Sequence, residues 1–101
     1  MSVYQYRGSV TIAAGSASAT TLNVDGGILQ QAIFRANTGT TLFRANLTDA
    51  SGLVILNWGY HEGEINDMES HPALDGEYVI RILNASLTDI FTLYLGIKDG
   101  R

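Results

Sequence analysis

The chain has no cysteine, one proline and one lysine among its 101 residues. The lack of cysteine excludes disulfides, thiolate metal sites and cysteine nucleophiles. Because secreted β-domains of this size often carry a disulfide, the same absence favours an intracellular or virion setting. No apolar run approaches the roughly 20 residues that a membrane-spanning helix needs, and the first seven residues lack the layout of a signal peptide. We therefore expect a protein made in the cytoplasm, with no membrane partner.

Charge is also scarce, and its balance is acidic. Ten Asp and Glu residues against six Lys and Arg residues give a net charge of -4. That balance argues against nucleic acid as a partner, because phosphate binding needs clustered Lys and Arg. Charged residues make up 16% of the chain, compared with roughly 25% in an average protein. A neutral surface rich in Thr, Ser and Asn is one explanation, and a surface covered by other subunits is the other.

Residues favoured in β-strands are abundant, since Val, Ile, Thr, Tyr, Phe and Trp make up 32 of the 101 residues. Short alternating segments are cut by Gly, Asn, Asp and Ser, a pattern typical of an all-β antiparallel β-sandwich or jelly roll. The pattern predicts seven clear strands, and an eighth near 63–66, in a single domain that spans residues 1–101. The clear strands are predicted at 3–14, 20–24, 28–36, 41–48, 53–58, 77–85 and 90–98.

Four local patterns make sharper predictions about these strands. The Asp-Gly-Gly sequence at 25–27 predicts a tight turn. The stretch 53–58 is almost wholly apolar, which is typical of a central strand buried on both faces. Gly8 predicts a bulge or bend in the first strand. The segment 28–36 also fits one face of a helix, but its similarity to the next segment favours a strand.

The tetrapeptide Phe-Arg-Ala-Asn occurs twice, with the two copies nine residues apart. A Gly-containing turn separates them, so the repeat predicts two adjacent antiparallel strands. On that prediction Phe34 and Phe43 point inward, and Arg35 and Arg44 share one outer face. The two arginines are then ordinary solvent-facing charges, or they pair with carboxylates of a neighbouring subunit.

The stretch 59–77 breaks the strand rhythm and holds both histidines and six of the ten carboxylates. Long connections in compact domains are often functional. One interpretation is a Ca²⁺ site, because carboxylates are the ligands that Ca²⁺ prefers, although the spacing is not that of an EF-hand. The residues available for it are Glu62, Glu64, Asp67 and Glu69.

Two other interpretations of the stretch 59–77 are open. His61, Glu62 and His71 offer a transition-metal or hydrolytic site, but the His-Glu-x-x-His motif is missing and no nucleophile stands out. Alternatively, the stretch is a solvated acidic segment that contacts a neighbouring subunit or water. We favour this last interpretation and predict no catalytic, metal or cofactor site.

Two aromatic residues close to this stretch also have two interpretations. Trp58 ends an apolar segment and fits the core, or it forms with Tyr60 an exposed platform for carbohydrate or protein. The residues that we predict for partner contact are Tyr4, Tyr6, Arg35, Arg44, Trp58, Tyr60, His61, Glu62 and Glu64.

Two resemblances bear on function. The sequence at 73–82 (Ala-Leu-Asp-Gly-Glu-Tyr-Val-Ile-Arg-Ile), with Phe-Thr-Leu-Tyr-Leu at 91–95, resembles the last hairpin of small bacterial β-sandwich modules of the pre-peptidase C-terminal type. The whole chain is short, cysteine-free, nearly lysine-free and rich in Thr, Ala and Gly, and in this it resembles head decoration and capsid-stabilising proteins of tailed phages. That second resemblance implies a non-enzymatic β-domain that binds a capsid lattice or joins a symmetric ring. It assigns a role to no individual residue.

These observations lead us to expect a non-enzymatic structural protein of a phage particle. It would act in the virion through contacts with the major capsid protein and with copies of itself, as a homo-oligomer. The alternative is a β-sandwich module that binds carbohydrate or a cell surface.

Overall fold

The computed structural model describes the backbone of residues 3–99 and the side chains of residues 5–98. This part of the chain forms seven strands, all paired antiparallel. It contains no helix that could cross a membrane. The strands are β1 (Val3–Ile12), β2 (Ser18–Ala36), β3 (Leu42–Asp49), β4 (Val54–Glu62), β5 (Glu64–Asp67), β6 (Ala73–Leu83) and β7 (Asp89–Asp99).

A single hydrogen-bonded sheet folds into two layers, because β2 is long enough to belong to both. The first half of β2, up to Ile28, pairs with β6, and the second half, from Gly27, pairs with β7 and β5. One layer, the β7 layer, therefore has the order β1-β7-β2-β5, and the other, the β3 layer, has the order β2-β6-β3-β4. This all-β antiparallel architecture confirms the predicted fold class.

A bulge at Gly26 lets β2 pass from one layer to the other. The register against β6 shifts between Val24 and Gly27, and Gly26 has a φ of 63°. Glycine adopts this left-handed conformation without the steric penalty that a side chain brings, and a bulge bends the strand. The turn predicted at 25–27 is therefore wrong, because the chain continues as one strand. The segments predicted at 20–24 and 28–36 are two halves of β2, and the strand predicted near 63–66 is present as β5.

The core lies between the layers and is filled by alternate residues of each strand. Phe34 on β2 contacts Trp58 on β4 with ring centroids 5.0 Å apart, and Phe43 on β3 meets the edge of Phe91 on β7 at 4.9 Å. Both pairs join one layer to the other. Alternate residues of β3, β6 and β7 are buried there, such as Ala45, Ile80 and Leu93.

The Phe-Arg-Ala-Asn repeat does not mark adjacent strands. β2 pairs with β5, β6 and β7, whereas β3 pairs with β4 and β6. Residues 37–41 thus carry the chain from one layer to the other rather than around a hairpin. Phe34 and Phe43 are buried as predicted, but they enter the core from opposite layers. Arg35 and Arg44 lie on opposite outer faces, and the prediction of a shared face is wrong.

The two ends of the pairing order are β1 and β4. The prediction of a central strand at 53–58 is wrong, because β4 pairs with β3 alone among the described strands, and both Leu53 and Val54 are exposed. Two register shifts against β3 mark bulges in this pair. β1, in contrast, pairs with β7 from Val3 to Ile12 without any shift. The bulge predicted at Gly8 is therefore absent.

Candidate functional site

The acidic stretch 59–77 is largely ordered into strands, as it holds the end of β4, all of β5 and the start of β6. Glu64 on β5 lies opposite Arg35 on β2. The Nε and Nη2 atoms of Arg35 both donate to Oε1 of Glu64, at 2.8 and 2.6 Å. Because both side chains reach solvent, the pair contributes less than about 1 kcal/mol. Two residues predicted for partner contact are thus paired with each other within the chain.

Asp67 organises the turn after β5. Its Oδ2 atom accepts a hydrogen bond from Nε1 of Trp58 at 2.8 Å, and its Oδ1 atom accepts from the backbone N–H groups of Glu69 and Ser70, both at 2.9 Å. Partial burial favours the protonated form of this carboxyl, but the hydrogen bonds outweigh burial and lower the pKa of Asp67 to about 2. The carboxylate therefore fixes the acidic stretch to the polar edge of Trp58.

The candidate metal ligands of the stretch 59–77 are not brought together. Among the residues whose side chains are described, no group of three His, Asp or Glu side chains is placed to hold a metal ion. His61 Nδ1 donates to the carbonyl oxygen two residues before it, at 2.8 Å, and His71 Nε2 to the carbonyl oxygen three residues before it, at 3.0 Å. The geometry supports neither the Ca²⁺ interpretation nor the His-carboxylate interpretation of the stretch.

Trp58 and Tyr60 do not form a common aromatic platform. Trp58 is 8% exposed and lies in the core, whereas Tyr60 is 59% exposed. The register shift between Phe43 and Ala45 inserts one extra β4 residue at this point. A bulge changes the direction of the side chains that follow it, so Tyr60 faces outward although it is two residues from an inward-facing tryptophan. Of the two interpretations of Trp58, the structure therefore supports a place in the core and not a joint platform with Tyr60.

Tyr60 instead meets Arg44 on the outer face of the β3 layer, and Asn84 connects them. With its side-chain oxygen directed at these two residues, Asn84 accepts hydrogen bonds from the Tyr60 hydroxyl at 3.1 Å and from Arg44 Nε at 3.0 Å. Asn84 follows the end of β6 and has a φ of 55°. This is a left-handed conformation, which Asn tolerates better than most residues. The residue that joins Tyr60 to Arg44 thus has an unusual backbone conformation.

Two exposed leucines are close to this group along the chain, Leu42 before Arg44 and Leu87 after Asn84, and they were not among the predicted contact residues. Leu42 is 44% exposed and Leu87 is 47% exposed. The backbone of Leu42 bonds to Ser86, the residue before Leu87, through Ser86 N–H to the Leu42 carbonyl at 2.9 Å. The alternation of β3 places Leu42 outward and is a signal that could have identified it, whereas no sequence pattern marks Leu87. We define the Arg44 patch as Leu42, Arg44, Tyr60, Asn84 and Leu87.

The remaining predicted contact residues are scattered. Tyr6 is half-buried and packs against the core from β1. His61 and Glu62 are exposed at the end of β4. The backbone of Tyr4 belongs to β1, but its side chain lies outside the described residues.

Acid is expected to weaken the fold at the Asp67 turn. The folded-state pKa of about 2 lies below the ordinary value of 3.8, so the ionised carboxylate stabilises the folded state at neutral pH. This contribution is lost as the pH falls from about 4 towards 2, and after allowance for solvent exposure it is on the order of 1 kcal/mol. Urea unfolding followed by the fluorescence of Trp58, the single tryptophan, should show a smaller acid-induced loss of stability in Asp67→Asn than in the wild type. Equal losses in the two proteins would contradict the assignment.

Comparison with known proteins gives little to add to this geometry. No family model and no curated protein matches the chain. A chain in the solved structure of infectious bursal disease virus, Gx strain, is similar over 97% of this chain and 33% of that chain, with 9% sequence identity and a TM-score of 0.34. The present chain thus spans about a third of the length of that viral chain, and a similarity at this level assigns no role to any of its residues.

Proposed function

We propose that the chain is a non-enzymatic structural protein of a virus particle, in particular a phage particle, where it decorates or stabilises the capsid. It acts by burying part of its surface against neighbouring subunits, the major capsid protein among them. A standard interface of roughly 1,600 Å², repeated by the symmetry of the particle, stabilises such an assembly without any chemistry.

The observation that carries this proposal is the composition of the Arg44 patch. The patch combines two exposed leucines and an exposed tyrosine with one arginine, on a chain with little charge elsewhere. Tyr and Arg are enriched among the residues that dominate the energy of protein–protein interfaces, because each combines a large contact area with directed hydrogen bonds. The patch therefore has the composition expected of a contact with another protein.

The geometry of the patch also favours binding. Asn84 holds the side chains of Arg44 and Tyr60 together, so less side-chain freedom is lost when a partner docks. Within the described part of the chain Arg44 pairs with no carboxylate, since the ion pair found there is the one between Arg35 and Glu64. An Asp or Glu of a capsid subunit would form an ion pair with Arg44, and we propose such a carboxylate as its partner.

The charge reversal Arg44→Glu is expected to reduce binding to particles at least about tenfold, which corresponds to 1.4 kcal/mol. The matched control is Arg35→Glu, the same change at the equivalent position of the repeat but on the opposite outer face, and we expect it to retain binding within about twofold. Both variants are added to phage particles that lack this chain, and the bound protein is quantified by mass spectrometry after sedimentation.

Two outcomes would contradict these statements separately. If native particles do not contain the chain and wild-type protein does not bind particles that lack it, the proposed function is wrong. If the wild type binds but Arg44→Glu and Arg35→Glu lose equal affinity, the chain is a particle protein whose contact surface is not the Arg44 patch. Circular dichroism of each variant checks that the β fold is retained.

A further inference from the structure

The outer edge of β1 is a long and regular row of backbone groups. β1 pairs with β7 along all ten of its residues without a register shift. It stands at one end of the strand order, so no other described strand pairs with its second edge. The N–H and C=O groups that point away from β7 are therefore available to a further strand.

The edges of β4 and β5 carry features that discourage such pairing, and β1 does not. Proteins protect their sheet edges with bulges, short strands, lysine or proline. β4 has two register shifts and β5 has four residues. β1 has ten residues, neither lysine nor proline, and Arg7 as its one charge. Of these edges, β1 is the one best able to accept another strand.

The inward face of β1 is also incompletely covered. Tyr6 and Val10 point toward the core but are only half-buried. Their partners on β7, Leu95 and Phe91, are fully buried. The difference arises because β1 has a neighbouring strand on one side only. An added strand would cover the apolar surface that Tyr6 and Val10 leave open.

We infer that the occupant of this edge is the β1 strand of a second copy of the chain. Two copies would pair antiparallel about a two-fold axis and make one continuous layer of eight strands, four from each β7 layer. An antiparallel edge is self-complementary, so a symmetric dimer satisfies both edges at once. This surface is distinct from the Arg44 patch. Experiments can therefore contradict the proposed dimer without contradicting the proposed particle contact, and the reverse.

The sequence of β1 selects the register of this pair. Residues directly opposite each other in an antiparallel pair point to the same face. An axis between two residues would place neighbours of opposite faces against each other. The two-fold axis must therefore pass through one residue of β1, which then lies opposite its own copy. The two registers with the longest overlap place it at Arg7 or at Gly8. An axis at Arg7 sets two arginines opposite each other, which is unfavourable. An axis at Gly8 sets Arg7 opposite Ser9 of the second copy and Tyr6 opposite its Val10, a favourable pairing of an aromatic with a β-branched residue.

The first test measures association by light scattering. The wild type is expected at about 22 kDa, twice the chain mass of 10.9 kDa, and to dissociate on dilution. Ser9→Glu would place a carboxylate opposite Arg7 of the second copy twice per dimer, so the dissociation constant should fall about fivefold, whereas Ser9→Lys should raise it by a similar factor. Asn57→Lys, an exposed position on the β4 edge, is the matched control and should leave the constant unchanged.

The second test determines the register by disulfide formation. No other thiol competes, because the chain has no cysteine of its own. Gly8→Cys should form a covalent dimer under mild oxidation, because an axis at Gly8 places the two thiols opposite each other. Ser9→Cys should not, because its two copies are offset diagonally by about 7–8 Å, beyond the usual reach of a disulfide. A wild type that is monomeric at every concentration would overturn the inference, and so would dissociation by Asn57→Lys or cross-linking of Ser9→Cys in preference to Gly8→Cys.

Discussion

Replacing Gly63 by alanine is expected to lower the free energy of unfolding by about 3–5 kcal/mol. Gly63 lies between β4 and β5 and has a φ of 76°. A Cβ atom at this position would lie 2.6 Å from the carbonyl oxygen of Gly39, which belongs to the crossover between the layers. The substitution therefore adds a clash with backbone to the strain of the left-handed conformation.

Gly63 cannot move away easily, because hydrogen bonds hold its backbone on both sides. The N–H of Ala36 donates to the carbonyl of Gly63 at 2.8 Å, and the N–H of Gly63 donates to the carbonyl of Thr41 at 2.8 Å. These bonds attach Gly63 to both ends of the crossover. Relief of the clash would break at least one of them, and an unpaired buried backbone group costs about 1–3 kcal/mol.

The control for Gly63→Ala is Gly52→Ala. Gly52 has a φ of 94°, but nothing lies within 4 Å of the position that its Cβ would occupy. This substitution thus carries the conformational strain alone, and we expect a loss of about 1–2 kcal/mol. Urea unfolding followed by Trp58 fluorescence measures both variants. Equal losses would show that the close approach of Gly63 to Gly39 does not constrain the fold.

The alternation of residues along each strand was predictable, because the period of two depends only on the chain itself. Phe34 and Phe43 were correctly placed inward on this basis. The partners of each strand were not predictable. Asp-Gly-Gly at 25–27 is compatible with a turn and with a bulge, and the choice is made by pairing with β6 and β7, both distant in sequence. The apolar composition of 53–58 likewise does not distinguish a central strand from an edge strand.

The Arg44 patch was predicted in part, and for reasons that differ from its actual geometry. Arg44 and Tyr60 were expected to contact a partner, but Arg44 was grouped with Arg35, and Tyr60 with Trp58. Their meeting depends on the bulge in β4 and on Asn84 at the end of β6, and neither feature has a signature in the local sequence. Strand parity assigns a residue to a face of its own strand. It does not assign that strand to a layer.

The aromatic contact between Phe43 and Phe91 joins the two layers, and substitutions there measure how much it stabilises the fold. Both side chains are fully buried, and their rings meet edge-on at 4.9 Å from opposite layers. Phe43→Ala is expected to lower the free energy of unfolding by about 3–5 kcal/mol, because the cavity lies between paired strands that cannot collapse into it. Phe43→Leu, which retains more of the volume, should lose about 1–2 kcal/mol and provides a measurable variant if alanine unfolds the chain.

A double-mutant cycle with Phe43→Leu and Phe91→Leu isolates the contact between the rings. We expect a coupling free energy of about 1 kcal/mol, the usual contribution of an aromatic pair beyond its buried area. Strictly additive losses would indicate that the direct contact between the two rings contributes nothing beyond their separate burial. Leu42→Ala, one residue away but on the outer face, should change stability by less than about 0.5 kcal/mol. Because Leu42 belongs to the Arg44 patch, the same variant should bind particles more weakly. Substitutions at the adjacent residues Leu42 and Phe43 would thus affect particle binding and fold stability separately.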